Sequence, residues 1–321
     1  MSAIITSWLF DGEGRGKELT RPDEFPAMSD PTPLWVHLSI HNPGCEEMIR
    51  QTVPDIPDTA LDALIAQETR PRMERFREGV FINLRGVNLN PGEDPEDLIA
   101  LRIWVTANRV ITVRRRKLKT IKDIRLRLGG SGHPGPVTTG EFVVQLAEGL
   151  TDRLGDVIEV MDEDLEKIEE RTEISSDFIP AINNMRRMCV ILRRHLVPQE
   201  SALVRLAGLS VDWLHDSDKD ELKLILDDVH RHLENMDEIK ERANIVRDRI
   251  SHESAEKINR TIFSLTLLAA MFMPMTFVTG LLGINVGGIP GSEHPVAFWY
   301  VAGGLLALAV FQFVMFKILK L

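Results

Sequence analysis

The sequence predicts an α/β domain, a long helical stalk and two C-terminal helices that cross a membrane. Three observations predict it. Ile262–Leu282 and Val296–Phe316 are each 21 residues long without a charge, enough for a helix to cross a hydrocarbon core of about 30 Å. The first 140 residues mix β-rich runs with short helical patterns. From Gly140 onward the pattern turns helical and stays so. The expected divisions are an α/β domain over 1–140, a helical stalk over 141–259 and a membrane hairpin over 260–321, with an outer loop at 283–295.

Several classes are excluded first. The 321 residues carry a net charge of −10, and a nucleic-acid partner would need a basic face. Two distant cysteines, Cys45 and Cys189, rule out a disulfide scaffold and a cysteine-rich zinc module. There is no nucleophile elbow, P-loop or dinucleotide fingerprint, so neither an enzyme nor an ATP-driven pump is expected. The run MSAIITSWLF lacks a basic start and a small-residue cleavage site, so the polar part is expected in the cytosol.

In the α/β part, LWVHLSI at Leu34–Ile40 is a short strand before the turn residues Asn42-Pro43-Gly44. Asp55–Glu68 places Ile56, Ala60, Leu61, Leu64 and Ile65 at helical spacing. Val80–Leu89 alternates as a strand, and Leu98–Val105 with Val110–Arg114 form a hairpin about Ala107-Asn108-Arg109. Residues 131–140 are a loop by composition. A strongly acidic helix follows over 141–171, with a solvated face the plainer reading and cation concentration or a regulatory metal the sharper one. A second helix runs back over 181–208. Ser217 then opens a third as a capping box with Asp220. Unbroken to Leu282, that helix would be roughly 100 Å long.

On 100° steps the long helix shows two faces. Met236, Ile239, Ala243, Val246 and Ile250 form an apolar arc suited to packing on the preceding helices. Asp248, Ser251, Ala255, Ile258 and Asn259 form another, which continues through Ile262, Leu265, Ala269, Met273, Thr276, Gly280 and Gly283 towards Asn285. This second arc is small or weakly polar along much of its length. Two spans cannot enclose a water path, so an ion route needs several copies around an axis. Small residues also serve helix packing in an inert anchor, and both readings stand on residue types alone. The carbonyl of Ala270, freed by Pro274, either faces the ion or belongs to a simple kink. Lys and Arg flank the hairpin at Arg242, Arg247, Arg249, Lys257, Arg260, Lys317 and Lys320, and the loop has none. Both termini are therefore expected on the cytoplasmic side.

The first span ends PMTFVTGLLGIN, Pro274–Asn285, followed by VGGIPG over 286–291. This resembles the CorA metal-ion transporter family, whose hallmark at this place is Gly-Met-Asn. Gly283-Ile284-Asn285 departs from it at the middle residue. With the GGIPG loop and QETRPRMERF at Gln67–Phe76, it is similar to the ZntB branch.

The resemblance implies a homopentameric funnel in a bacterial inner membrane, the first span lining the pore. It places Gly283, Ile284 and Asn285 at the outer mouth, Thr276 and Met273 below, Leu265 and Ile262 at a constriction, and Asn259 and Asp248 in the lower stalk. Five Asn carbonyls can accept hydrogen bonds from the water ligands of a cation. Leu265 and Ile262 form a ring that gates by dewetting. Met273 reads first as a pore-size element and second as a soft ligand. Glu293 and His294 would attract cations at the outer loop. The spans hold no Asp, Glu, Lys, Arg, His or Cys, so neither bare Zn²⁺ ligation nor a proton relay fits inside them. The expected cargo is a largely hydrated divalent cation. The branch implies Zn²⁺, with proton coupling, where present, using groups such as His294, Glu293 or Asp248. No resident cofactor is implied. Mg²⁺ or Co²⁺ conduction is the neighbouring alternative, and a non-conducting membrane-anchored sensor or scaffold the distant one.

Overall fold

The structure, a computed structural model, describes residues 4–67, 70–171, 175–284, 289–291 and 293–318. By internal contacts the chain forms two units, Met1–Arg247 and Asp248–Leu321. The first unit holds seven strands: β1 (Ile4–Phe10), β2 (Gly16–Leu19), β3 (Leu34–Ser39), β4 (Arg72–Arg75), β5 (Val80–Gly86), β6 (Ile99–Val105) and β7 (Arg109–Arg114). They form one sheet in the order β2-β1-β3-β7-β6-β5-β4. Only β3 and β7 pair in parallel. The expected hairpin is present as β6–β7, with Val105 opposite Val110. The N-terminal run, weighed above only as a leader, is strand β1.

Both faces of the central strands are covered, which is why LWVHLSI reads as a continuous apolar run. Leu34, Val36 and Leu38 pack with Ile49 of α1 (Cys45–Thr52) and Leu61 and Leu64 of α2 (Asp58–Ile65). Trp35, on the alternate face, meets Phe142 of α4 (Thr139–Glu169) at 4.9 Å between rings. A helix α3 (Lys119–Leu128) adds to this layer and contacts α4. Gly86 lies where a side-chain carbon would come within 2.6 Å of Leu150, so its bareness lets α4 approach the sheet.

Beyond the sheet, α4, α5 (Ile179–Ala207) and α6 (Asp216–Leu282) carry apolar seams at three- and four-residue steps. On α4 these are Leu154, Ile158, Met161, Leu165 and Ile168; on α6 they run from Leu222 to Val246, all buried. Met236, Ile239, Ala243, Val246 and Ile250 are at most 4% exposed, as their arc predicts. Each of these side chains except Ala243 contributes about 1.5–3 kcal/mol. Polar pairs flank the seams. Arg242 reaches Asp162 at 2.6 Å and Glu169 at 2.5 Å on α4, and Arg193 on α5 reaches Asp237 at 2.5 Å.

The cap of α6 lies two residues before the expected one. The carboxylate that accepts from a leading backbone N–H belongs to Asp218, 2.9 Å from the His215 N–H. Asp220 instead pairs with Lys223 at 2.7 Å. Asp218 is buried and Asp220 exposed, so the cap falls to the carboxylate on the packed side of the first turn.

One polar cluster lies inside the sheet layer. Trp35 Nε1 donates to Thr112 Oγ1 at 2.8 Å, and the same hydroxyl is 2.8 Å from His37 Nδ1. Burial, reinforced by Arg114 and Arg125, pushes the His37 pKa down to about 3. The unfolded chain takes up this proton near pH 6.5, the folded chain only near 3. This contribution is therefore full above pH 6.5 and declines as pH falls towards 3. In the purified full-length protein, His37→Gln should flatten the decline of Tm between pH 6.5 and 4.5. An unchanged slope would mean that other groups carry it.

Candidate functional site: the membrane hairpin

The second unit contains the two helices long and apolar enough to cross a membrane, the end of α6 and α7 (Ala297–Ile318). The two helices have complementary covered faces. On α6, Leu267, Met271, Pro274, Met275 and Val278 are partly covered. On α7 the covered positions are Ala297, Val301, Ala302, Leu305, Leu308, Ala309, Gln312 and Phe316, again at helical steps. Gln312 Nε2 donates to the carbonyl oxygen of Ala270 at 3.2 Å and joins the two faces.

That bond resolves the two readings of Pro274. Proline removes the N–H that would have met the Ala270 carbonyl. The carbonyl does not turn to an ion path; it is taken by the second span. Gln312 is 7% exposed and is the one buried residue of α7.

The weakly polar arc lies on the other side. On 100° steps its centre is roughly 170° from the covered face of α6. Ile262 is 56%, Leu265 61% and Met273 72% exposed, and Asp248, Asn259, Thr276 and Gly283 are exposed too. A side-chain carbon added at Gly280 meets nothing within 4 Å, so no contact among the described residues requires that glycine. Four hydroxyls of this stretch bond back to their own helix: Thr261 to Lys257, Ser264 to Arg260, Thr266 to Ile262 and Thr279 to Thr276. Thr276 Oγ1 bonds to no described residue, and it lies on the arc.

The helix closes where the arc ends. The Gly283 N–H donates to Thr279 O at 2.9 Å, and Ile284 beyond it is 48% exposed. Asn285 lies outside the described residues. Glu293 and His294 are exposed. His294 also starts α7: its carbonyl accepts from Ala297 N, its Nδ1 stands 3.5 Å from Val296 N, and its ring lies 6.2 Å from that of Tyr300. The structure thus brings Ile262, Leu265, Met273, Thr276 and Gly283 onto one open face.

The chain belongs to the CorA family. Residues 31–317 match the family described as CorA-like Mg²⁺ transporter protein. The divalent cation transporter CmaX of Pseudomonas aeruginosa is 35% identical over 99% of this chain and 96% of its own. The zinc transport protein ZntB of Pectobacterium atrosepticum is 32% identical over 93% and 90%. Full-length CmaX superposes with a TM-score of 0.84 at 33% identity over 99% of this chain and 98% of that one. The CorA magnesium transporter of Methanocaldococcus jannaschii shares the fold, with a TM-score of 0.82 at 16% identity over the same shares. The protein is therefore a divalent-cation transporter of the CorA family and not an enzyme.

For a CorA-family chain, the acidic helix α4 holds a second place of interest. Asp152, Asp156, Glu159 and Asp162 line a cleft of about 580 Å³ with Asp228 and Glu238 of α6. Burial, then Glu148 and Asp156, raises the Asp152 pKa. Among the described residues, no three His, Cys, Asp or Glu groups stand close enough to hold a metal ion. Asp162 is committed to Arg242, and Glu163 and Asp164 to Lys167.

The Gln312 amide was not visible as a functional signal in sequence, beyond being the lone strongly polar residue of its span. Interhelical hydrogen bonds in membranes are worth about 0.6–1.7 kcal/mol. Gln312→Leu should lower the protein's unfolding free energy in lipid or detergent by that amount. The loss should shrink in a Pro274→Ala background, where position 274 regains its N–H. Equal losses in both backgrounds would mean the amide acts elsewhere.

Proposed function

We propose that five copies of the chain surround an axis in a bacterial inner membrane, both termini cytoplasmic, and conduct a largely hydrated divalent cation, Zn²⁺ first. The observation that carries this reading is the open arc of the first span. The second span covers the opposite side, so the arc is left for water or for neighbouring copies. Its residues suit a narrow wet path. Asn285 at the mouth and the Thr276 hydroxyl offer uncharged acceptors to the water shell of an ion. Gly280 and Gly283 leave width, Met273 sets size, and Leu265 with Ile262 forms the dry constriction. Asn259 and Asp248 continue the path towards the cytosol, and Ile284 precedes the filter Asn. Glu293 and His294 raise the local cation concentration at the entrance.

The zinc reading draws on the relatives that are zinc transport proteins. The membrane potential or an ion gradient supplies the driving force. Proton coupling, if the transporter uses it, runs through groups outside the spans. Mg²⁺ is the second reading. It is favoured by the donor chemistry, since the spans offer no Cys, His or carboxylate ligand. Flux of Zn²⁺ and Mg²⁺ in the same reconstituted vesicles, each challenged with the other, separates the two.

The assembly is tested by mass measurement of the detergent-extracted protein. A pentamer is expected, and a stable monomer or dimer overturns the axial path. The mouth is tested by Asn285→Ala, which removes five acceptors and leaves the backbone and stalk seams in place. The variant should assemble normally and lose most of its Zn²⁺ flux, roughly tenfold or more, equivalent to about 1.4 kcal/mol in the barrier. Wild-type flux from an assembled Asn285→Ala protein would falsify the outer-mouth filter.

A further inference from the structure

The protein is acidic overall, yet one cavity of its first unit is lined by six arginines. It measures about 520 Å³ and lies between β5, β6 and α5. It is lined by Arg102 of β6, Arg85 of β5, Arg115 and Arg116 after β7, and Arg187 and Arg194 of α5. Two carboxylates, Glu96 and Asp97, share the wall, and both already have partners. Glu96 pairs with Arg187 at 2.5 Å, and Asp97 with Arg116 at 3.6 Å.

Among the described residues, three of these arginines, Arg102, Arg115 and Arg194, make no ion pair. Arg102 is 1% exposed. Its Nη2 donates to the carbonyls of Ala66 and Gln67, at 2.7 and 3.5 Å, while Nε and Nη1 have no partner. Arg102 is the buried one of the three, and a buried charge is ordinarily paired, because desolvation without a partner is costly. The buried Nδ1 of His195 also lacks a partner. The field in the cavity registers on the neighbouring groups. Burial, then Arg115 and Arg85, lowers the Arg102 pKa to about 10. Burial, then Arg85, Arg194 and Arg70, lowers that of His195 to about 4.

We infer that this cavity binds a small phosphorylated anion, a di- or triphosphate group of nucleotide size. Guanidinium forks match phosphate oxygens bidentately, and three guanidinium groups that pair with no described acid exceed what one halide needs. The volume falls within the range of small-molecule sites, roughly 300–1,000 Å³, and is far more than one orthophosphate fills. Leu98, Ile99 and Ile191 provide an apolar wall for a ring beside the charged one. The ligand would tie α5 to the sheet by joining Arg194 to Arg102 and Arg115. This inference concerns the first unit alone and stands or falls independently of the ion path.

The test is calorimetric titration of the full-length protein in nanodiscs, in metal-free buffer at constant ionic strength. The probes are ATP, pyrophosphate, orthophosphate and chloride. Saturable binding of ATP or pyrophosphate is expected, at least tenfold tighter than orthophosphate. Tighter binding of ATP than of pyrophosphate assigns the apolar wall to the nucleoside; equal binding assigns the site to the diphosphate alone. The double variant Arg115→Gln/Arg194→Gln should weaken binding tenfold or more with an unchanged Tm, since both side chains are exposed. Arg102→Met should abolish binding, but it also releases two backbone carbonyls, so the double variant is decisive. Three results overturn the inference: no saturable binding at millimolar ATP and pyrophosphate, unchanged affinity in the double variant, or chloride binding as tightly as pyrophosphate. Closure of Arg115 and Arg194 by acids of a neighbouring copy would give the first.

Discussion

The constraint on which the rest of the structure depends is that α6 is one helix serving two solvents. From Leu222 to Ile250 it buries an apolar seam at three- and four-residue steps. Beyond Ile250 no described residue of α6 is buried. In the first stretch the hydrophobic effect drives packing. In the second, lipid is as apolar as the side chains, so contacts rest on fit and hydrogen bonds. Within the second stretch, Thr276, Met273 and Leu265 share one open face.

Hydrogen bonding in the hairpin follows from that limit. Backbone groups in hydrocarbon must be satisfied within the protein. Pro274 breaks the rule once, and Gln312 repairs it from the other helix. The repair has a directional consequence. It places the second span over Pro274 and Met271, on the side away from the arc. A donor taken from α7 thus holds α7 where it leaves the arc open. The same accounting explains the hydroxyls. Thr261, Ser264, Thr266 and Thr279 are satisfied by their own turns, whereas Thr276 Oγ1 has no such partner among the described residues.

Periodicity made much of this legible. The seam on α6 and the open arc could be read from spacing because each is repeated over many turns. The strand LWVHLSI could be read because burial on both faces leaves a continuous apolar run. Strand β1 was not separated from other apolar N-terminal runs, since its identity depends on pairing with β3 and β2. Long-range partnerships left no local pattern. Gln312 and Ala270 are 42 residues apart. The arginine cavity draws on two strands, a loop and a helix that only the fold brings together. The capping carboxylate moved from Asp220 to Asp218 because burial, invisible in the motif, decides which acid faces the helix start.

The donor set also bears on how an ion could be chosen. Zn²⁺ bound directly by protein takes nitrogen, sulfur or carboxylate ligands, and the affinity order among divalent metals is expressed through such direct bonds. Within the spans the open arc presents the Thr276 hydroxyl and the Met273 thioether, with no titratable group. An ion that keeps its water shell shows the protein an outer surface of water hydrogens, much the same for Zn²⁺ as for Mg²⁺. Discrimination by ligand softness is then lost. What remains for the proposed path is the width between facing helices, the strength with which uncharged acceptors hold the shell, and the ease of passing a ring of Leu265 and Ile262 side chains. Those terms depend on how closely copies approach, which small residues such as Gly280 permit. Ion choice in such a path becomes a property of packing between helices more than of any one ligand.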